Sequence, residues 1–342
     1  MFPELEILKI TCCGKLASVP YCPVLKKLEI KECQKLSRVP DYPVLKELKI
    51  DGCCSLAMSS LTHLTELCEL RYLAGDYSCV NMSLGSWSSL VKLDVTLSTN
   101  VVTPLEIDKN QGPLENLRSL DLSGLSFFTA TLSSSQMHAR LWKCFTFIEE
   151  LRIYGCHDLV HWPTEELMSL THLRYLDIDS CDKLEGKGSS SNLEITKFPE
   201  SIEKLYIQDC PRLVALPSNL GNLARLKRLD LDKCNGLKRL PVGMDGLTSL
   251  EELRIEGCRK INKFPQGLLQ RLATLKSLRI QGCCPVLQRQ CREGGDYFKL
   301  LSSIPHKSIQ TAVEESMSQM KNLTKVLPKD GFGLDIDGNE SG

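Results

Sequence analysis

Three short stretches carry residue types that could do chemistry. His157 and His161 in "HDLVH" have the spacing that puts two imidazoles on one face of a helix, as in a zinc protease. The acid between them is Asp158, directly beside the first histidine, where that chemistry needs a glutamate general base. The segment also follows Cys156 at a point where the chain turns, so it reads as a turn and not as a metal site. "DIDGNE" near the end alternates acids as a calcium loop does, with its glycine misplaced and too few residues after it. "EGKGSSS" from Glu185 lacks the first glycine and the preceding strand of a phosphate loop. No constellation supports catalysis, so neither enzymatic activity nor a metal or cofactor is expected.

Seventeen cysteines are the next candidates. So many would suit a disulfide scaffold, and no Cys-x-x-Cys pair offers zinc spacing. Their phase decides the reading. Cys13, Cys33, Cys53, Cys156, Cys181, Cys210, Cys234, Cys258 and Cys283 each stand three residues after the last apolar residue of a strand-like motif. One cysteine per motif at a constant phase reads as a packing position, a small apolar side chain with a weak S–H donor.

The elements that position these residues are repeats. The unit is L-x-x-L-x-I/L-x-x-C-x-x-L, starting at Leu5, Leu25, Leu45, Ile148, Leu173, Ile202, Leu226, Leu250 and Leu275. Degenerate copies without the cysteine start near Leu64, Leu90 and Leu117. Start-to-start spacings of about 20 to 31 residues largely fit leucine-rich repeats. In "LKRLDLDKC", Leu229 and Leu231 point to one face of a strand and Asp230 to the other. A single unit cannot bury its leucines, whereas parallel stacking makes one continuous core. The expected fold is an α/β leucine-rich-repeat solenoid, a horseshoe with a parallel concave sheet, about twelve repeats and an irregular convex side. Residues 1–286 form the solenoid, irregular over about 58–147, with an insertion from Phe127 to Phe147 and a loop tip at 186–192. Residues 287–310 read as a C-terminal capping segment and 311–342 as a disordered tail.

Composition excludes several partners. With 42 basic and 42 acidic residues there is no electrostatic case for nucleic acid or an anionic membrane. No run of eighteen apolar residues occurs, so no membrane span is expected. The opening "MFPELEILKITCCGKL" has no apolar h-region, which points to a cytoplasmic or nucleo-cytoplasmic location. Sequons at Asn81, Asn322 and Asn339 carry no meaning without secretion.

The candidate recognition surface is the set of strand residues that alternate away from the leucines. One row reads Arg152, Asp177, Tyr206, Asp230, Arg254, Arg279, and the next Tyr154, Asp179, Gln208, Asp232, Glu256, Gln281. Tyrosines and arginines among acids suit protein recognition. The bland alternative is a solvated sheet whose charges pair between coils, Asp230 with Arg254 for example. Toward the N-terminus Lys9, Lys26, Lys27, Lys31, Lys46 and Lys49 offer a basic surface for an acidic partner, or simple solubilisation.

The stretch "LPSNLGNLARLKRLDLDKCNGLKRLPVGMDGLTSLEELRIEGC" (216–258) resembles the leucine-rich-repeat region of plant intracellular nucleotide-binding disease-resistance proteins (NB-LRR proteins). "CREGGDYFKLLSSIP" (291–305) is similar to the segment that closes many of those domains, which commonly carry Trp where Tyr297 or Phe298 stands here. The likeness covers roughly residues 1–310. It implies sensing of a pathogen effector or a guarded host protein in plant innate immunity. Partners would include that protein ligand and a nucleotide-binding immune receptor in trans, or N-terminal domains missing from this chain. The nucleotide switch has no counterpart here, so ATP or ADP binding does not carry over. Two alternatives are a substrate-recognition scaffold of a ubiquitin ligase and a truncated receptor fragment without an independent role. The absence of an F-box-like segment before the first repeat weighs against the former. A secreted receptor ectodomain would show Asn where this chain has its repeat cysteine.

Overall fold

A computed structural model describes residues 2–73, 87–96, 112–124, 142–157, 159–186 and 197–310. Thirteen five-residue strands stack in chain order into a single sheet in which every pairing is parallel. They are β1 (Ile7–Thr11), β2 (Lys27–Lys31), β3 (Glu47–Asp51), β4 (Glu69–Leu73), β5 (Lys92–Thr96), β6 (Ser119–Ser123) and β7 (Glu150–Tyr154). The series continues with β8 (Tyr175–Asp179), β9 (Lys204–Gln208), β10 (Arg228–Asp232), β11 (Glu252–Glu256), β12 (Ser277–Gln281) and β13 (His306–Gln310). This is the expected solenoid with a parallel concave sheet.

The second and fourth residues of β2 to β12 point into one core. Leu28 and Ile30, Leu229 and Leu231, and Leu253 and Ile255 are all sealed from solvent. Burying a leucine or isoleucine this fully contributes roughly 1.5–3 kcal/mol, and the gain exists only because the neighbouring coil covers it. In β1, which has a partner on one side alone, Leu8 and Ile10 are half-buried. Coil length sets what closes the convex side. The 20-residue coils return through turns, whereas longer ones fit one helical turn, as at Thr164–Ser169, Ser218–Asn222, Met244–Gly246 and Gln266–Arg271. These turns nearly touch: a Cβ on Gly221 would lie 2.2 Å from the Gly243 carbonyl oxygen.

Wherever the residue that follows a strand is described, the chain leaves that strand through one left-handed residue. Cys12, Glu32, Ser180, Asp209 and Lys233 hold φ between 45° and 57° there, and Gly52, Gly155, Gly257 and Gly282 occupy the same place in other coils. The turn away from the sheet is therefore made by the residue before the repeat cysteine. That residue's N–H continues the sheet ladder, for example from Lys233 to the Glu256 carbonyl at 2.8 Å. The cysteine then turns inward and donates to main-chain carbonyls: Cys210 to Gln208 at 3.2 Å, Cys283 to Ile255 at 3.1 Å. Contact with Cys210 and then burial push the Cys181 thiol far above its usual range. Burial holds that of Cys283 at about 12. The core reading fits these cysteines but not Cys13, which is exposed along with Cys12 because β1 is the edge strand among the described residues.

Two repeat assignments change. The coil expected from Leu64 begins at Leu67, since Leu70 and Tyr72 take the core slots opposite Leu48 and Ile50. A leucine every three residues hid the frame, and Tyr72 fits because its hydroxyl reaches the Leu56 carbonyl at 2.7 Å. A thirteenth strand lies within 287–310, after helices at Pro285–Cys291 and Phe298–Leu301. It pairs Leu278 with Lys307 and Ile280 with Ile309. Lys307 stands exposed at the register position of a leucine, its ammonium group on the Leu301 carbonyl at 3.2 Å, which conceals the repeat in the sequence. Of the proposed insertion, residues 142–147 are described, and Trp142 and Phe145 are buried there. Its remainder, residues 187–192 of the loop tip, all of 311–342, Asp158 and the three sequons lie outside the described residues.

Candidate concave recognition surface

Because every strand has two core positions flanked by outward ones, the sheet presents three outward rows. Register places Arg152, Asp177, Tyr206, Asp230, Arg254 and Arg279 side by side as third residues of β7 to β12. Tyr154, Asp179, Gln208, Asp232, Glu256 and Gln281 form the fifth-residue row. All twelve candidate residues thus lie on one face. Sequence reasoning missed the first-residue row, Glu150, Tyr175, Lys204, Arg228 and Glu252, although the same period-two alternation extends to it.

The rows are braced to each other. Arg152 bonds Asp121 at 3.0 Å and Glu150 at 3.1 Å, and its guanidinium lies 4.8 Å from the Tyr175 ring centre. Tyr175 packs on Tyr206 with centroids 5.1 Å apart, and Arg228 covers the other ring at 5.2 Å. Arg228 continues to Asp230 at 2.8 Å and to Glu252 at 2.9 Å. Glu256 takes Arg254 and, at 2.9 Å, Arg279. Asp230, only 5% exposed, sits under Arg228 with Arg254 at 3.8 Å, so it acts as a brace within the sheet and is little available to a partner. Half-desolvated cation–π and charge-assisted contacts of this kind contribute about 0.5–2 kcal/mol each and mainly fix side-chain orientation.

Against that network, Asp177, Asp179 and Asp232 have no cation within 4.0 Å among the described residues. Asp177 accepts the Tyr175 hydroxyl at 3.2 Å, and Asp179 accepts that of Ser180 at 2.9 Å. Burial, with the nearby charge of Asp179, raises the pKa of the Asp177 carboxyl. Burial, with the nearby charge of Glu256, does the same to Asp232. Tyr154 ends the fifth-residue row and is 54% exposed.

The N-terminal lysines behave otherwise. Lys9 pairs with Glu29 at 2.8 Å, Lys26 with Glu6 at 2.7 Å, Lys27 with Glu47, Lys31 with Asp51 at 3.6 Å and Lys46 with Glu66 at 2.9 Å. Pairing with the adjacent coil therefore neutralises most of the basic surface expected there. His157 is taken by Asp182 at 3.1 Å, and among the described residues no group of three His, Cys, Asp or Glu side chains could hold a metal. Among those residues no helix is long and apolar enough to cross a membrane.

The family described as leucine-rich repeat region matches residues 124–338, well over half of the sequence, and this chain belongs to it. No curated protein matches the chain. Among solved structures, the leucine-rich repeat domain of the type III effector XopL is 18% identical, covering 74% of this chain and 77% of that one at a TM-score of 0.48. A leucine-rich-repeat protein of Leptospira interrogans is 16% identical over 88% of this chain and 83% of its own, TM-score 0.43. TLR13, solved with ssRNA13, is 19% identical over 90% of this chain, TM-score 0.44, and the chain spans about half (53%) of that receptor.

Proposed function

We propose that the chain is a non-catalytic protein-recognition module whose binding surface is the concave face of β7 to β12. One observation carries this reading. Six consecutive strands close their leucines into the core and set tyrosine, arginine and carboxylate side chains in unbroken rows on the opposite face. Aromatic and arginine side chains with prearranged rotamers lose little entropy on contact, which is what protein interfaces select.

The finer reading rests on the phrasing of residues 216–258 and 291–305. It makes the module one of plant disease-resistance type, acting in the cytoplasm in defence. Its ligand is a pathogen effector or a guarded host protein, and it works beside a nucleotide-binding immune receptor. The test places a photo-crosslinking residue at Gln208 in the full chain, with Lys238 on the convex side as control, in infected and uninfected plant cells. Covalent capture of one protein from Gln208 and not from Lys238, identified by mass spectrometry as an effector, its host target or an immune receptor, is the expected result. Equal capture from both faces would overturn the concave assignment. Selective capture of ubiquitin-ligase subunits would replace the immune reading.

A further inference from the structure

Resting on that concave reading, we propose that the strip Tyr154–Asp179–Gln208–Asp232 docks a basic extended segment of the protein partner, with two cationic side chains three residues apart. These four residues are successive fifth residues of β7, β8, β9 and β10, held in register. The sheet's own cations are committed elsewhere. Arg152, Arg228, Arg254 and Arg279 bond Asp121, Glu150, Asp230, Glu252 and Glu256. Among the described residues nothing cationic stands within 4.0 Å of Asp177, Asp179 or Asp232, and partial burial leaves the charges of Asp177 and Asp232 poorly solvated. The N-terminal half differs, since Glu6, Glu29, Glu47, Asp51 and Glu66 each have a lysine from an adjacent coil. Charge complementarity thus singles out this strip, and a guanidinium or ammonium group is what fits it.

Spacing defines the ligand further. Adjacent strands lie about 4.8 Å apart, so Asp179 and Asp232, two strands apart, are separated by about 9.6 Å along the strip. A polyproline II segment rises about 3.1 Å per residue with three residues per turn, which returns side chains i and i+3 to one face about 9.3 Å apart. Cationic residues at those positions meet both aspartates at once. The exposed Tyr154 ring, one strand beyond Asp179, supplies the aromatic surface on which such proline-rich segments pack. Gln208 lies between the acids and offers amide hydrogen bonds to the segment's backbone, which polyproline II leaves unpaired.

The test uses the full chain and three fluorescein-labelled peptides that share a flank and contain Arg-Pro-Pro-Arg, Arg-Pro-Arg or Glu-Pro-Pro-Glu. Fluorescence anisotropy is read at about 50 mM and 300 mM salt. The Arg-Pro-Pro-Arg peptide is expected to bind at least tenfold more tightly than either other peptide. The double substitution Asp179→Asn with Asp232→Asn should weaken it at least tenfold, with circular dichroism unchanged. Tyr154→Ala should weaken it severalfold at both salt concentrations. Equal binding of the acidic peptide, no binding of the basic one, or no effect of the aspartate substitutions would each overturn the proposal. If the Gln208 crosslink still captures a partner in that case, the concave reading stands and only the cationic ligand falls. If both fail, the face is not a recognition surface.

Discussion

Replacing Gly257 with alanine tests the left-handed turn that follows the strands. Gly257 has φ of 61°, and a Cβ there would sit 3.1 Å from Cγ and 3.2 Å from Cα of Lys233 in the preceding coil. Gly155 has the same φ, yet nothing lies within 4 Å of its Cβ position. A left-handed alanine costs about 1–2 kcal/mol. Loss of the unfolded chain's glycine freedom offsets about 0.4–1 kcal/mol of that. Gly155→Ala should therefore destabilise by about 0.5–1 kcal/mol. Gly257→Ala adds the crowding of a backbone that cannot move without shifting its own ladder bond, roughly another 1–3 kcal/mol. Urea titrations followed by circular dichroism give the comparison through the midpoint, provided the slope m is unchanged. Hydrogen exchange at β10 and β11 shows whether the loss is local, as nearest-neighbour coupling requires. Lys233→Gly is the converse and should stabilise by a few tenths to 1 kcal/mol. Equal losses in the two alanine variants would refute the crowding argument. No loss in either would refute the role assigned to the left-handed residue.

Brief iodoacetamide treatment of the native chain should modify Cys12 and Cys13 and spare Cys181, Cys210, Cys234, Cys258 and Cys283, as peptide mass spectrometry will show. The Glu32 carboxylate accepts the Cys12 thiol at 3.2 Å and raises its pKa, so Glu32→Gln should speed alkylation of Cys12. Asp232 is more basic folded than unfolded, so it binds protons in the native state that the unfolded chain has already released. Its contribution to stability therefore falls as pH rises from the unfolded value near 3.9, roughly, through the folded value. Asp232→Asn should accordingly raise the midpoint of thermal unfolding at pH 7 and leave it unchanged at pH 3. Tyr72→Phe leaves the buried Leu56 carbonyl without the Tyr72 hydroxyl and should cost about 1–3 kcal/mol in the same assay.

Periodicity made most of the fold legible, because a leucine or isoleucine at each of two fixed slots is needed for every coil to seal the next. Legibility failed where another side chain met the same physical demand. Tyr72 occupies a core slot by sending its hydroxyl to a main-chain carbonyl, and at Lys307 in the last described strand the leucine position is exposed; no count of apolar residues detects either. The two outward rows from β7 to β12 were readable because register follows from the leucine frame. Their pairing was not. Whether Arg254 turns to Asp230, Asp232 or Glu256 depends on rotamer and burial, and the sequence places all three within reach. The charge deficit at Asp177, Asp179 and Asp232 therefore emerges only from the three-dimensional network. The left-handed residue was visible as glycine in "DGC", "YGC", "EGC" and "QGC", and hidden where glutamate, serine, aspartate or lysine holds the same angle.

Strand register has a consequence for how such a surface changes over generations. Since the outward rows advance by one residue per coil, lateral distances on the face come only in multiples of about 4.8 Å. Duplication or loss of a whole coil would leave every core contact type intact, yet move Tyr154 relative to Asp232 by one full step. Substitution at a single outward position would change chemistry without changing pitch. The spacing of the outward side chains and their charge are thus inherited separately, the first through recombination between similar coils and the second through point mutation.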